Sequence, residues 1–99
     1  MGINLRQDAA LVCQSCTVTG NGSVGINVEE NSVATFHGSA SVTGNTGAGI
    51  NLSNLSSASF DGTETVTNNN SGQGDLVCNP KYATIAGVPG TVGKVVNCP

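Results

Sequence analysis

The chain has very little charge and almost no aromatic surface. Charged residues make up 9% of its 99 residues, aromatics 3%, and Trp is absent. Only Arg6, Lys81 and Lys94 are basic, and the formal net charge is −3. Phosphate binding needs clustered cations, so nucleic acid is excluded as a partner. Anionic membrane surfaces are excluded for the same reason, and no apolar run approaches the ~18 residues of a membrane-spanning helix. Apolar residues are also scarce, at 37% against a usual ~45–50%. What fills the gap is Gly, Ser, Thr and Asn, almost half of the chain. Val dominates the remaining apolar set, and its stiff, branched side chain suits strands.

A repeat organises this composition. Gly-Ile-Asn-(Leu/Val) occurs at Gly2–Leu5, Gly25–Val28 and Gly49–Leu52, with a degenerate copy expected at Gly74-Asp75-Leu76-Val77. Periods of 20–50 residues mark stacked repeat architectures. Aligned as coils, the copies place Leu11, Ala34, Ala58 and Ala83 in one column. Cys13, Phe36, Phe60 and Ile85 form a second column. Val18, Val42, Val66 and Val92 form a third if coil four carries an extra residue, and Asn21, Asn45 and Asn69 follow. Within a coil, apolar and polar residues alternate, the period of a strand with one buried face. Gly, Asn and Ser between these runs supply turns, and Gly recurs too often for a helix. One coil buries nothing alone, but stacked coils pile like residues into a core. The expected ladders are Ile3–Ile26–Ile50 and Phe36–Phe60.

These features resemble the right-handed parallel β-helix of the pectin-lyase-like superfamily. The residues that carry the resemblance are the Gly-Ile-Asn starts, Ala34-Thr35-Phe36-His37-Gly38 with Ala58-Ser59-Phe60-Asp61-Gly62, and Ser41-Val42-Thr43-Gly44-Asn45. The resemblance implies an all-β solenoid of about four coils and an irregular C-terminal cap. Residues 1–78 are read as coils and 79–99 as a modified last coil and cap, where Pro80, Pro89 and Pro99 oppose strand pairing. Val92, Val95 and Val96 are expected over the open end. No polar or helical cap precedes Gly2. The expectation is therefore a segment of a longer protein, open to self-association through its uncapped first coil.

The candidate chemistry is sparse. Cys78 and Cys98 are expected to form a disulfide that closes the cap. Cys13 is expected as a buried, inert thiol, or else as a member of a redox pair, half a zinc site or a small local disulfide with Cys16 at a shortened corner. His37 and Asp61 share a column on adjacent coils, and a His–carboxylate pair is the raw material of acid–base catalysis. Both precede a turn glycine on an outer face, where such a pair is more simply a surface contact. Arg6 over Glu29 is expected as a cross-coil ion pair. The family's enzymes use several carboxylates on neighbouring coils. The acids here, Asp8, Glu29, Glu30, Asp61, Glu64 and Asp75, do not align in that way, so no catalytic residue carries over and no cofactor or metal is expected.

Thr17 and Thr19, Ser41 and Thr43, and Thr65 and Thr67 flank the Val column, so two hydroxyl rows should face outward. They resemble the Thr-x-Thr ladders of β-helical ice-binding proteins, though Thr is also an ordinary outward strand residue. Asn-x-Ser/Thr acceptor sequences stand at Asn21, Asn51, Asn54 and Asn69. Tyr82 is the only Tyr, so aromatic sugar platforms are lacking. Three functions follow as expectations. The first is a non-catalytic structural or binding segment of an extracellular or virion-surface β-helix, with polysaccharide as the partner class. The second is the C-terminal portion of a carbohydrate-active lyase or hydrolase with its catalytic coils upstream. The third is an ice-binding surface.

Overall fold

The computed structural model describes residues 1–70, 72–78 and 83–98. Pro80, Lys81, Tyr82 and Pro99, singled out from the sequence, lie outside that set. Coil one holds strands β1 (Ile3–Leu5), β2 (Ala10–Gln14) and β3 (Thr17–Thr19). Coil two holds β4 (Ile26–Val28), β5 (Val33–His37) and β6 (Ser41–Thr43). Coil three holds β7 (Ile50–Leu52), β8 (Ser56–Phe60) and β9 (Thr65–Thr67). Coil four holds β10 (Leu76–Cys78), β11 (Ala83–Ala86) and β12 (Thr91–Val92), and β13 (Val95–Val96) starts a further rung. No helix occurs among the described residues.

Every strand pair is parallel. The three sheets run in the orders β1-β4-β7-β10-β13, β2-β5-β8-β11 and β3-β6-β9-β12. The fold is therefore a parallel β-solenoid of about four turns. Like residues pile up as the repeat requires. Ile3 pairs with Ile26 and Ile26 with Ile50. Val18, Val42, Val66 and Val92 are in register. The Phe36 and Phe60 rings stack at 5.0 Å between centroids and 8° between planes. Ile26, Val28, Ile50, Leu52 and Leu76 are completely buried, so the core is the axis of the stack.

Coil four corrects two expectations of register. Leu76, not Asp75, pairs with Ile50, so Asp75 takes the place of Gly49 and the degenerate copy starts one residue later than expected. Ala83 pairs with Ser56 and Ile85 with Ala58, not with Ala58 and Phe60. The physical cause is compensation between corners. The path from Cys78 to Ala83 is one residue longer than that from Leu52 to Ser56, while the path from Ala86 to Thr91 is one residue shorter than that from Ser59 to Thr65. The Val column absorbs the difference and stays in line. Val95 and Val96 extend the first sheet beyond coil four. They pair with Leu76 and Val77 as a fifth strand of the first sheet.

The corners also repeat. Gln7-Asp8, Glu30-Asn31 and Asn54-Leu55 all have positive φ, between 51° and 65°. Each pair lies in the three- or four-residue connection from the first to the second sheet. Asn and Asp tolerate this left-handed conformation, whereas Leu55 does so at a cost. At the next corner, coils two and three run from Phe36 to Ala40 and from Phe60 to Glu64. Coil one makes the turn one residue sooner, and Cys13 and Cys16 are joined by a disulfide there. Cys13 is thus not an inert thiol but half of the local bridge at a shortened corner.

Candidate functional site

The third sheet presents the hydroxyl rows. Val18, Val42 and Val66 are buried, so the residues on either side of each must point away from the axis. Thr17, Ser41, Thr65 and Thr91 form one row in register. Thr19, Thr43 and Thr67 form the other. Neighbouring rows stand roughly 6.6 Å apart along a strand and successive rungs ~4.8 Å apart. Thr17, Thr19 and Thr91 are exposed and the others half-buried. Among the described residues none of these hydroxyls is bonded to another protein group. Thr91 lengthens the first row beyond what the sequence reading assigned, and Gly93 ends the second.

His37 and Asp61 are brought together on the second sheet, at the corner. His37 Nδ1 lies 4.0 Å from Asp61 Oδ2, and both side chains are well exposed. The partners of Asp61 show what holds it. The Thr63 hydroxyl donates to Asp61 Oδ1 at 2.6 Å and also touches the Gly38 carbonyl oxygen. The Gly38 backbone N–H donates to Oδ2 at 3.1 Å. The Thr63 hydroxyl, then the Gly38 N–H, hold the Asp61 carboxyl well below the usual carboxylate range. An acid bonded in this way is a poor proton acceptor. Glu64, which sequence reading treated as one more scattered acid, is 1% exposed. It occupies the position of Cys16 and Ala40, immediately before the third-sheet strand. Its carboxyl accepts the backbone N–H groups of Asp61 and Gly62 at 2.9 and 3.1 Å. The available signal was an acid standing in a column that is otherwise small and apolar.

Two amide columns run through coils one to three, and sequence reading assigned them no role. In the first, Asn51 Nδ2 donates to Asn27 Oδ1 and Asn27 Nδ2 to Asn4 Oδ1, each at 2.9 Å. In the second, Asn21 Nδ2 donates to Asn45 Oδ1 and Asn45 Nδ2 to Asn69 Oδ1, each at 2.8 Å. Asn69 Nδ2 completes this column on Asp75 Oδ1 at 2.9 Å. The same acceptor oxygens also take the backbone N–H groups of Asn21, Asn45 and Asn69. Asp75 Oδ2 accepts the Lys94 backbone N–H at 2.8 Å. The two columns run in opposite senses, one donating toward coil one and the other toward coil four. They involve three of the acceptor sequences, at Asn21, Asn51 and Asn69. Asn54 instead sits exposed at a left-handed corner.

Arg6 bridges to Glu29 at 3.0 Å, as expected, and also to Glu30 at 2.9 Å. Asn31 Nδ2 donates to Asp8 Oδ1 at 2.7 Å. Glu30, Asn31, Asn54 and Leu55 line an open groove of ≈ 410 Å³ at the left-handed corners. Cys78 and Cys98 are joined as expected. No group of three or more His, Cys, Asp or Glu able to hold a metal ion is found among the described residues. Comparison with protein-family models, with curated proteins and with solved structures finds no match.

Proposed function

We propose that this chain is a non-catalytic structural or binding segment of an extracellular or virion-associated β-helix protein, with polysaccharide as its partner class. The observation that carries this reading is the fate of the acids. Each of the six carboxyl groups is bonded to a group that holds the solenoid together: Asp8 to Asn31, Glu29 and Glu30 to Arg6, Asp61 to Gly38 and Thr63, Glu64 to the corner backbone, and Asp75 to Asn69 and Lys94. Acids spent on the scaffold are not free for acid–base chemistry. The two disulfides persist in oxidising compartments, which supports the extracellular reading. Within the β-solenoids, the repeat motifs favour the right-handed, pectin-lyase-like kind, in keeping with the handedness of parallel crossovers.

The test is turnover. The oxidised protein is incubated with pectin, alginate, xylan and chitin, and new reducing ends and unsaturated products are measured. The expected result is the buffer level. Turnover that scales with protein concentration and disappears in His37→Ala or Asp61→Asn would overturn the reading in favour of a carbohydrate-active enzyme.

One specific observation favours a second reading, an ice-binding surface. The hydroxyl rows are in register over three to four rungs and unbonded. That reading requires thermal hysteresis that falls sharply on Thr43→Tyr. Hysteresis equal to that of an inert control protein eliminates it.

A further inference from the structure

Leu55 is out of place at its corner. The second residues of the left-handed pairs are Asp8, Asn31 and Leu55, with φ of 65°, 64° and 65°. They lie one above another, because Leu5 pairs with Val28 and Val28 with Leu52. Asp and Asn suit this conformation and a bulky leucine does not. Asn31 Nδ2 donates to Asp8 Oδ1 at 2.7 Å, so an asparagine in the third position would continue a side-chain ladder. Leucine ends that ladder and leaves Asn31 Oδ1 without a partner among the described residues. Leu55 is also 68% exposed. A strained residue that the core does not use points to function.

The space beside it has the make-up of a ligand site. The open groove lined by Glu30, Asn31, Asn54 and Leu55 holds ≈ 410 Å³, within the ~300–1,000 Å³ of small-molecule sites. Leu55 gives it an apolar wall. The Asn54 side chain is exposed and, among the described residues, bonded to no other group. Glu30 uses only Oε1 on Arg6. The groove therefore sets an amide donor on Asn54, and acceptor oxygens on Glu30, Asn31 and Asn54, around an apolar surface. Its charge is acidic, because Asp8, Glu29 and Glu30 outnumber Arg6 among the described residues of these corners.

We propose that this groove binds an internal unit of a neutral polysaccharide chain. A pyranose ring presents C–H faces to Leu55. Its rim of hydroxyls donates to the free oxygens and accepts from the Asn54 amide. An open groove lets the chain run on at either side of the bound unit. The acidic corner repels the carboxylates of uronate polymers. The inference rests on polysaccharide as the partner class and places the contact at the corner between the first and second sheets.

The oxidised full chain is titrated with xylotetraose, mannotetraose and chitotetraose, and separately with tetragalacturonate, while backbone amide shifts are followed by NMR. Each sugar is carried to about 10 mM, enough to fill most of a site with a Kd of ~1 mM. At least one neutral tetrasaccharide should shift the Asn31, Asn54 and Leu55 amides, and tetragalacturonate should not. Leu55→Asn, which restores the ladder, and Asn54→Gly, which suits the positive φ, should each weaken that binding at least about tenfold. The melting temperature of Leu55→Asn should be no lower than that of the parent, so that lost binding is not lost folding. Silence of the three amides with every neutral sugar overturns the proposal. So does binding of equal strength by tetragalacturonate or by either variant. Shifts confined to another face, such as Thr17, Thr43 and Thr65, overturn the groove and leave polysaccharide standing as the partner class. Leu55 shifts that follow protein concentration in the absence of sugar would give the groove to a second copy of this chain, and overturn the proposal as well.

Discussion

Asp75 and Phe36 show how much single side chains carry in so small a core. Burial pushes the Asp75 carboxyl up, but the donors from the Asn69 backbone, the Lys94 backbone and the Asn69 amide outweigh it, so its pKa lies below the ordinary value. Asp61 is depressed as well. A carboxyl with a depressed folded-state pKa contributes stability that is complete above the unfolded pKa of about 4 and is lost as pH falls through the folded value. Denaturant midpoints should therefore hold steady from about pH 7 to 5 and decline below about pH 4. Asp75→Asn should flatten part of that decline and lower stability at pH 7 by about 1–3 kcal/mol, because its NH₂ group would face the Lys94 or Asn69 donors. A variant with an unchanged acid limb would mean that the limb arises elsewhere. Phe36 is 1% exposed and stacked on Phe60. Phe36→Ala should cost about 3–5 kcal/mol, read from urea melts; a loss under ~1 kcal/mol would contradict its place in the core. The Phe column was legible because large apolar residues recur at the period of the coil. The roles of Asn45, Glu64 and Asp75 were not legible, since a polar residue reads as surface until its partners on the neighbouring coil are known.

At the scale of the element, the left-handed corners are the least relaxed feature. A non-glycine residue in this region costs roughly 1–2 kcal/mol, less for Asn and Asp. Leu55 holds φ 65° while 68% exposed, so nothing in the core repays it. Leu55→Asn should raise stability by about 0.5–1 kcal/mol, and a lower melting temperature would show that the exposed leucine makes a contact the monomer does not reveal. Strand positions were readable from period-two alternation because the strands, the wholly buried β4 apart, bury one face more than the other. Register in coil four was not. Its two altered corners cancel, so aligning the Val column correctly still left Ala83 and Ile85 displaced by two residues. Corner length is set by local backbone conformation, which composition does not report.

At the scale of the molecule, each coil touches only its neighbours, so stability is close to a sum of coil and interface terms and the ends open first. The Cys78–Cys98 disulfide ties β10 to the segment after β13, across a separation of 20 residues. Closing a loop of this size is worth about 3 kcal/mol in the chain-entropy model. In a nearest-neighbour stack that stabilisation should act mainly where the loop lies. Cys98→Ala should therefore speed hydrogen exchange in β11, β12 and β13 by two or more orders of magnitude, roughly the equivalent of the lost loop constraint. Exchange in β4, β5 and β6, two coils away, should change far less. If β4 loosens as much as β11, the solenoid unfolds as one cooperative unit and the nearest-neighbour account of its stability fails.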